Sequence, residues 1–231
     1  MTTKTSKTQY NSVAEKYSDS FLLYNQESIE SYFRCFEGIN LKEKKVLDLG
    51  CGTGYDLSRI KELGADIYGI DGSKEMVKLA RQKNPTSIVE IGHFDEIPFP
   101  DQTFDFVISK WALQTSSTID PIYEEIVRIL KPHGKLIYLA CHPIRQFLEK
   151  KKREKNYFTK EIVRSTFFDG QITALEPSHT FNEYLSPYFF HHFTLEHYEE
   201  GFDSAAEMIH GDIYPSFFII KASLKKTTHI R

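Results

Sequence analysis

Apolar positions along this chain switch between two spacings, and the switching predicts strands and helices in alternation. "KVLDLG" (Lys45–Gly50) is an apolar run broken only by Asp48, as expected of a central parallel strand covered on both faces. Leu57, Ile60 and Leu63 then recur at helical spacing until Gly64 closes the segment. "DIYGI" (Asp66–Ile70) predicts a second strand, and Ser73 caps a helix running to Lys83, with Asn84-Pro85 as its stop. "SIVEI" (Ser87–Ile91) and "TFDFVISK" (Thr103–Lys110) are the third and fourth strands. Asp120-Pro121 opens a helix that turns Ile122, Ile126, Ile129 and Leu130 inward. "KPHG" turns the chain into a fifth strand, "KLIYLAC" (Lys135–Cys141). Ahead of all this, "VAEKYSDSFLLYNQESIESYFRCFEGI" has mostly helical spacing. The alternation predicts an α/β fold, a doubly wound sheet with right-handed crossovers.

After Cys141 the rhythm breaks. "RQFLEKKKREKNYF" reads as a helix with a solvated charged face, and "ITALEP" as a short extra strand. "SHTFNEYLSPYFFHHF" has a helix start at Ser178 or Thr180 and an interruption at Pro187. "TLEHYEEGF" and "PSFFIIKAS" predict two final strands, paired antiparallel at one end of the sheet. One domain is expected over residues 1–231: helical segment 1–40, core 41–141, insertion 142–192 and final strands 193–231.

Composition narrows the function classes. A chain of 231 residues with 40% apolar and 26% charged residues has the profile of one globular core. The net charge of −3 supplies no global basic excess for gripping a phosphate backbone, so nucleic acid is disfavoured as a partner. "KKKREK" (Lys150–Lys155) is the exception, and an isolated charge run is ordinarily a solvated face. Cys35, Cys51 and Cys141 form no CxxC, which fits reduced thiols in a cytoplasmic setting. The polar start "MTTKTSKTQY" lacks the apolar stretch of a signal peptide, and no run is long enough to span a bilayer. The choice between monomer and homodimer stays open.

The strand at Lys45 empties into Gly50, Gly52 and Gly54, a GxGxG turn. Tyr55 stands where a dinucleotide turn places its third glycine, and no GK[ST] follows, so neither a diphosphate cradle nor a Walker loop is expected. What remains is a ligand without phosphates lying across main chain that glycine leaves bare. Asp71 ends the second strand, where an acid can accept from both ribose hydroxyls. It can also cap the next helix, but Ser73 is better placed for that.

With "VLDLGCGTG" and "FPDQTFDFVIS" in this order, the chain resembles the class I S-adenosylmethionine-dependent methyltransferases over roughly Val13 to Cys141. The resemblance implies a Rossmann-like seven-stranded sheet, an N-terminal helical lid, and S-adenosylmethionine as cofactor with S-adenosylhomocysteine as product. It implies that Asp48, Gly50, Cys51, Gly52 and Gly54 surround the methionine half of the cofactor. Asp71 would hold the ribose, Gly72 and Met76 would flank the adenine, and Ser109 and Lys110 would line the floor. The family's usual Asp after the third-strand glycine is replaced by His93, with Phe94 beside it; a neutral imidazole can accept the same bond. "KPHG" has His133 where the family has glycine, read as a solvent-side change.

Methyl transfer asks the protein to align a nucleophile, exclude water and, for some acceptors, take a proton. Three segments are expected around the methyl group. "YNSVAEKY" resembles the family's lid, with Tyr10 against the substrate and Tyr17 over the cofactor, or both as ordinary helix packing. "SKWALQT" places Trp111 and Gln114 at the rim. The insertion supplies Tyr184, Tyr188 and Phe189 as a wall, although an aromatic stripe at helical spacing is more often core. His142 and His179 are the general-base candidates, because imidazole titrates near neutral pH. His191 and His192 are adjacent, point apart, and are not expected to share a metal. The leading expectation is methylation of an O or N atom on a small, partly hydrophobic or aromatic acceptor. The alternatives are a methyltransferase acting on tRNA or protein, and an inactive cofactor-binding regulatory subunit.

Overall fold

The computed structural model describes residues 10–11, 14, 24–150, 156–167, 172–206, 208–209 and 211–226. Helix α1 (Gln26–Arg34) precedes strand β1 (Lys45–Leu49), then α2 (Tyr55–Glu62), β2 (Asp66–Asp71), α3 (Lys74–Lys83), β3 (Ile88–Ile91) and β4 (Phe104–Lys110). A 3-10 turn (Leu113–Thr115) leads to α4 (Asp120–Ile129) and β5 (Leu130–Cys141). The insertion contributes α5 (Pro143–Lys150), β6 (Ile162–Phe167), β7 (Ile172–Pro177), α6 (Phe181–Tyr184) and α7 (Pro187–His192). Strands β8 (Phe193–Gly201) and β9 (Phe217–Leu224) complete the described elements.

Seven strands form one sheet in the order β3-β2-β1-β4-β5-β9-β8, and β6 and β7 pair separately as an antiparallel hairpin. Strands β1 to β5 run parallel, while β9 lies antiparallel to β5 and to β8. The chain leaves β1 toward β2 and later returns to β1's other side through β4. This reversal opens a crevice at the C-terminal end of β1, the place where open α/β sheets bind ligands. Both faces are covered: Leu47 and Leu49 of β1 pack toward α4 and the insertion, and Val46 packs toward α1 and α2. The same alternation puts Asp48 on the α2 side, at the crevice.

Local signals explain most boundaries. The Ser73 hydroxyl accepts from the Met76 N–H and starts α3, and Thr180 with Glu183 forms a capping box at α6. Pro187 is the first residue of α7, so it interrupts one helix by beginning the next. Two expectations need correction. Leu63 is half exposed, because α2 ends at Glu62 and the chain turns away through Gly64 at φ +91°. "KPHG" lies within β5: Leu130 pairs with Phe104 before a register shift, and His133 occupies the left-handed region at φ 65°. Arg145 and Gln146 of α5 are buried, while residues 151–155 of the charge run lie outside the described residues.

Candidate active site

The three glycines of the turn all have positive φ, at 76°, 52° and 84°, but they answer to different neighbours. A Cβ on Gly50 would stand 2.3 Å from the Ala112 Cβ and 3.3 Å from the Phe94 ring. One on Gly54 would stand 2.5 Å from the Asn84 side chain, and Gly54 does not line the cavity. Only Gly52 faces open space. The bare main chain expected for a ligand is therefore Gly52 and its flanks. Gly54 is glycine because α2 packs closely on α3, a role the sequence reading gave to the cofactor.

A cavity of about 360 Å³ lies against this turn. It runs from the ends of β2 and β3 across β1 to the end of β4. Of the cofactor residues expected from the sequence, Asp48, Gly50, Cys51, Gly52 and Asp71 line it. Gly72, Met76, His93, Phe94 and Lys110 line it too, as do Tyr10 and Trp111 from the substrate set. Tyr17 lies outside the described residues. Cys51 lends only its backbone edge. Its thiol packs toward Gly69, where a Cβ would come within 2.9 Å, and burial pushes the thiol well above its usual range.

Asp71 organises the turn. Its Oδ2 accepts from the Gly52 N–H at 3.0 Å and its Oδ1 from the Ser73 N–H at 2.8 Å. Burial raises the carboxyl's pKa, and those two bonds oppose the rise. A carboxylate has about four lone-pair sites, so each oxygen keeps capacity for a ribose hydroxyl. Asp71 thus joins the helix start to the glycine turn and also faces the cavity. Asp48, deeply buried, is raised by burial and by the nearby Asp56 carboxylate, with Lys110 pulling the other way.

Several expected site residues sit elsewhere. Ser109 is wholly buried and donates to the Leu49 carbonyl at 2.7 Å, joining β4 to β1 beneath the cavity. Gln114 is buried in the 3-10 turn, and its carbonyl is bonded to the His179 Nε2 at 3.1 Å. His142 and His179, the general-base candidates, both miss the cavity. The His142 ring lies 4.9 Å from Phe181, and its Nε2 lies 3.0 Å from the Glu200 carboxylate. The His142 N–H donates to the Ser216 carbonyl just ahead of β9, which places the ring on the β9–β8 side of the sheet. Burial lowers its pKa, opposed by Glu200. Tyr184 and Phe189 are fully buried among Tyr123, Tyr138, Phe193 and Phe218, so the aromatic stripe is core. Tyr188 sits at that cluster's edge, its ring 4.4 Å from His192. The sheet leaves a wide apolar face beside β5 and β9, and these rings are what fill it.

His179 is a clamp. Its Nε2 holds the 3-10 turn, and its Nδ1 faces the Glu183 carboxylate at 3.6 Å. Burial alone would push Glu183 up, but bonds from His179 and Lys160 hold it down to about 2. A carboxyl lowered in the folded state stabilises above its unfolded pKa, and that contribution is lost as pH falls through the folded value. Glu183→Gln is therefore expected to destabilise the protein at neutral pH and to match the parent near pH 2. Denaturant midpoints across this range check it; a deficit independent of pH would contradict the clamp.

Thr53, Asp56 and Asp95, which carry no signal in the sequence, also line the cavity, as does Ser73, expected only as a helix cap. Asp95 bears on the departure at His93. It brings a carboxylate to the β3 end two residues later, so the acid that the resemblance leads one to expect there is displaced. Asp56 is at the second position of α2 and reads in sequence as an ordinary first-turn acid. Among the described residues no group of three or more His, Cys, Asp or Glu is arranged to hold a metal, and no helix is long and apolar enough to cross a membrane.

Sheet order, crevice and ribose-height acid together define the Rossmann-like fold of the class I methyltransferases. Comparison with known proteins agrees: residues 47–138 match the family described as "Methyltransferase domain". Demethylmenaquinone methyltransferase of Symbiobacterium thermophilum is 33% identical over 114 residues, covering 45% of this chain and 45% of that protein. An uncharacterized methyltransferase, YcgJ of Bacillus subtilis, is 27% identical over 187 residues, covering 79% of this chain and 67% of the relative. A putative S-adenosylmethionine-dependent methyltransferase from Listeria monocytogenes superposes with a TM-score of 0.68 at 23% identity, over 86% of this chain and all of that one. Residues 47–138 thus match a methyltransferase domain, on a fold shared with S-adenosylmethionine-dependent methyltransferases. The chain spans about half the length of the first curated relatives it matches.

Proposed function

We propose that the protein transfers a methyl group from S-adenosylmethionine to an O or N atom of a small, partly hydrophobic acceptor. The observation that carries this is the continuity of one cavity from Asp71 to Lys110 and Trp111. The residues fit the cofactor. Gly52 leaves main chain uncovered, Asp71 keeps acceptor sites for a ribose, and Asp95 with His93 offers acceptors at the adenine end. When bound, the cofactor supplies a methyl carbon already activated by its sulfonium. The chain's part is then to orient the acceptor at the β4 end and keep water out.

Closure falls to a small apolar cluster. Ile29 of α1 and Ile172 of β7 pack together, with Trp111, Tyr55, Phe33 and Tyr24 against them. Trp111 thus touches both α1 and β7, so we read these described parts of segments 1–40 and 142–192 as the cover over 41–141. Its backbone is held at φ 55°, a costly conformation for a bulky side chain, which fits a position fixed by the site.

The relative named demethylmenaquinone methyltransferase favours a small-molecule acceptor over tRNA or protein. An inactive subunit would follow from loss of the adenine-site acid replaced by His93, and Asp95 at the same end of the cavity weakens that reading. Incubating the protein with methyl-labelled S-adenosylmethionine and a small-molecule cell extract tests the proposal. Label is expected in a low-mass product; label only in macromolecules, or none above a protein-free control, would overturn it.

A further inference from the structure

Methyl transfer brings two molecules together, and the cavity has room for one. Small-molecule sites enclose about 300–1,000 Å³, so a cavity of about 360 Å³ is filled by a nucleoside joined to an amino acid. Beyond the β4 end the space is taken by the chain itself. Ile29 and Ile172 are buried there against Trp111, Phe33, Tyr55 and Tyr24, whose rings are only partly buried. Trp111 lines both the cavity and this plug. Ile172 comes from the β6–β7 hairpin, which pairs as a sheet of its own. The Trp111 backbone N–H is fixed on the Leu139 carbonyl at 2.9 Å, but the indole is held by packing, edge-on to Phe217 with ring centres 6.5 Å apart. Its Nε1 is buried and has no hydrogen-bond partner among the described residues. Buried indoles ordinarily find one, and an exception in a native structure points to strain or to a role at a site.

We propose that the methyl acceptor binds where this plug now packs, the rings parting to admit it, and that the Trp111 indole N–H donates to it. The acceptor is then a flat, uncharged molecule with an apolar body and a lone pair on oxygen or nitrogen. The inference rests on the methyltransferase reading and names the class of its acceptor. An indole N–H donates only, so its partner must carry a lone pair. Two isoleucines and four rings suit an apolar body with one polar contact. Charge of either sign is disfavoured. Arg59 lies 4.3 Å from the centre of the Phe33 ring and the Lys110 ammonium 5.0 Å from that of Tyr55, so a cation would meet like charge. Asp48 and Asp56 at the same end of the cavity oppose an anion.

Trp111 is the chain's only tryptophan, so protein isotope-labelled at the indole nitrogen gives a single indole resonance. The full chain is saturated with S-adenosylhomocysteine and titrated with acetophenone, then separately with isopropenylbenzene, its isostere in which a methylene replaces the carbonyl oxygen. Both are expected to shift the resonance, because both enter the plug. Only acetophenone should carry the indole proton downfield, as a new hydrogen bond does. Calorimetry then compares the two affinities in the parent and in Trp111→Phe, which keeps a ring and removes the donor. The ratio is expected to move about three- to tenfold against acetophenone in the variant, the scale of one neutral hydrogen bond. Comparing ratios cancels the probes' own hydration. An indole resonance unmoved by acetophenone, the same shift with both probes, or a ratio unchanged in the variant would each overturn the assignment. If the variant does not fold, the parent's resonance decides alone. Failure of S-adenosylhomocysteine itself to bind the parent would instead sink the methyltransferase reading beneath it.

Discussion

Gly50→Ala is expected to abolish measurable binding of S-adenosylhomocysteine and to destabilise the fold by about 2–5 kcal/mol, combining overpacking with left-handed strain. Gly50 sits at φ 76°, and its new methyl would stand 2.3 Å from the Ala112 Cβ, far inside contact distance. Relief by moving the turn is blocked, because the Gly50 and Cys51 N–H groups both donate to the Ile70 carbonyl, at 2.8 and 3.0 Å. Pushing Ala112 outward would instead shift Trp111 and the β4 end of the cavity. Adding Ala112→Gly removes the clash and leaves the backbone strain, so the double variant should recover part of the stability. Thermal melts and titration calorimetry on the pair check this. A single variant that melts and binds like the parent would mean the turn relaxes freely.

Asp71→Ala is expected to weaken cofactor binding by roughly 1.5–3 kcal/mol, the scale of losing charged hydrogen bonds. The substitution removes the proposed ribose acceptor and also the bonds to the Gly52 and Ser73 N–H groups. Asp71→Asn separates the two roles. An amide oxygen can keep one backbone bond but not the charge, so binding should fall while the melt changes less than with alanine. Dissociation constants for S-adenosylhomocysteine from calorimetry decide the matter; a value unchanged in both variants would show that the ribose lies elsewhere.

What the sequence disclosed follows from how strongly burial constrains each segment. β1 and β4 are covered on both faces, so they appear as apolar runs with few polar breaks; the glycines follow β1, and Asp71 ends β2. β6 was missed because "IVRSTF" pairs only with β7 and puts Ile162 and Arg164 at the surface, leaving no buried run to read. β5 was begun too late because Pro132 and His133 look like a turn, although Leu130 already pairs with Phe104.

The candidate site divides in the same way. Residues tied to a strand end, such as Asp48, Asp71 and Lys110, could be placed by counting. His142 also follows a strand end, but its N–H is bonded to the Ser216 carbonyl and its ring lies against Phe218 beside Glu200, which no local pattern reveals. His179 is a residue type suited to a base, but it sits as a clamp between the 3-10 turn and Glu183. Asp56 and Asp95 were invisible for the opposite reason: each is an unremarkable acid in sequence, and only the packing of α2 on β4 and the loop after β3 bring them to the cavity.

The central claim is that a sulfonium nucleoside lies on the main chain at Gly52 with its sugar held by Asp71. A crystal structure of the protein with S-adenosylhomocysteine tests it most directly. The expected result is ligand density along Gly50 to Thr53, ribose hydroxyls on the Asp71 carboxylate and the thioether sulfur directed toward Lys110 and Trp111. Density with the sugar away from Asp71, or a ligand lodged outside this cavity, would contradict it.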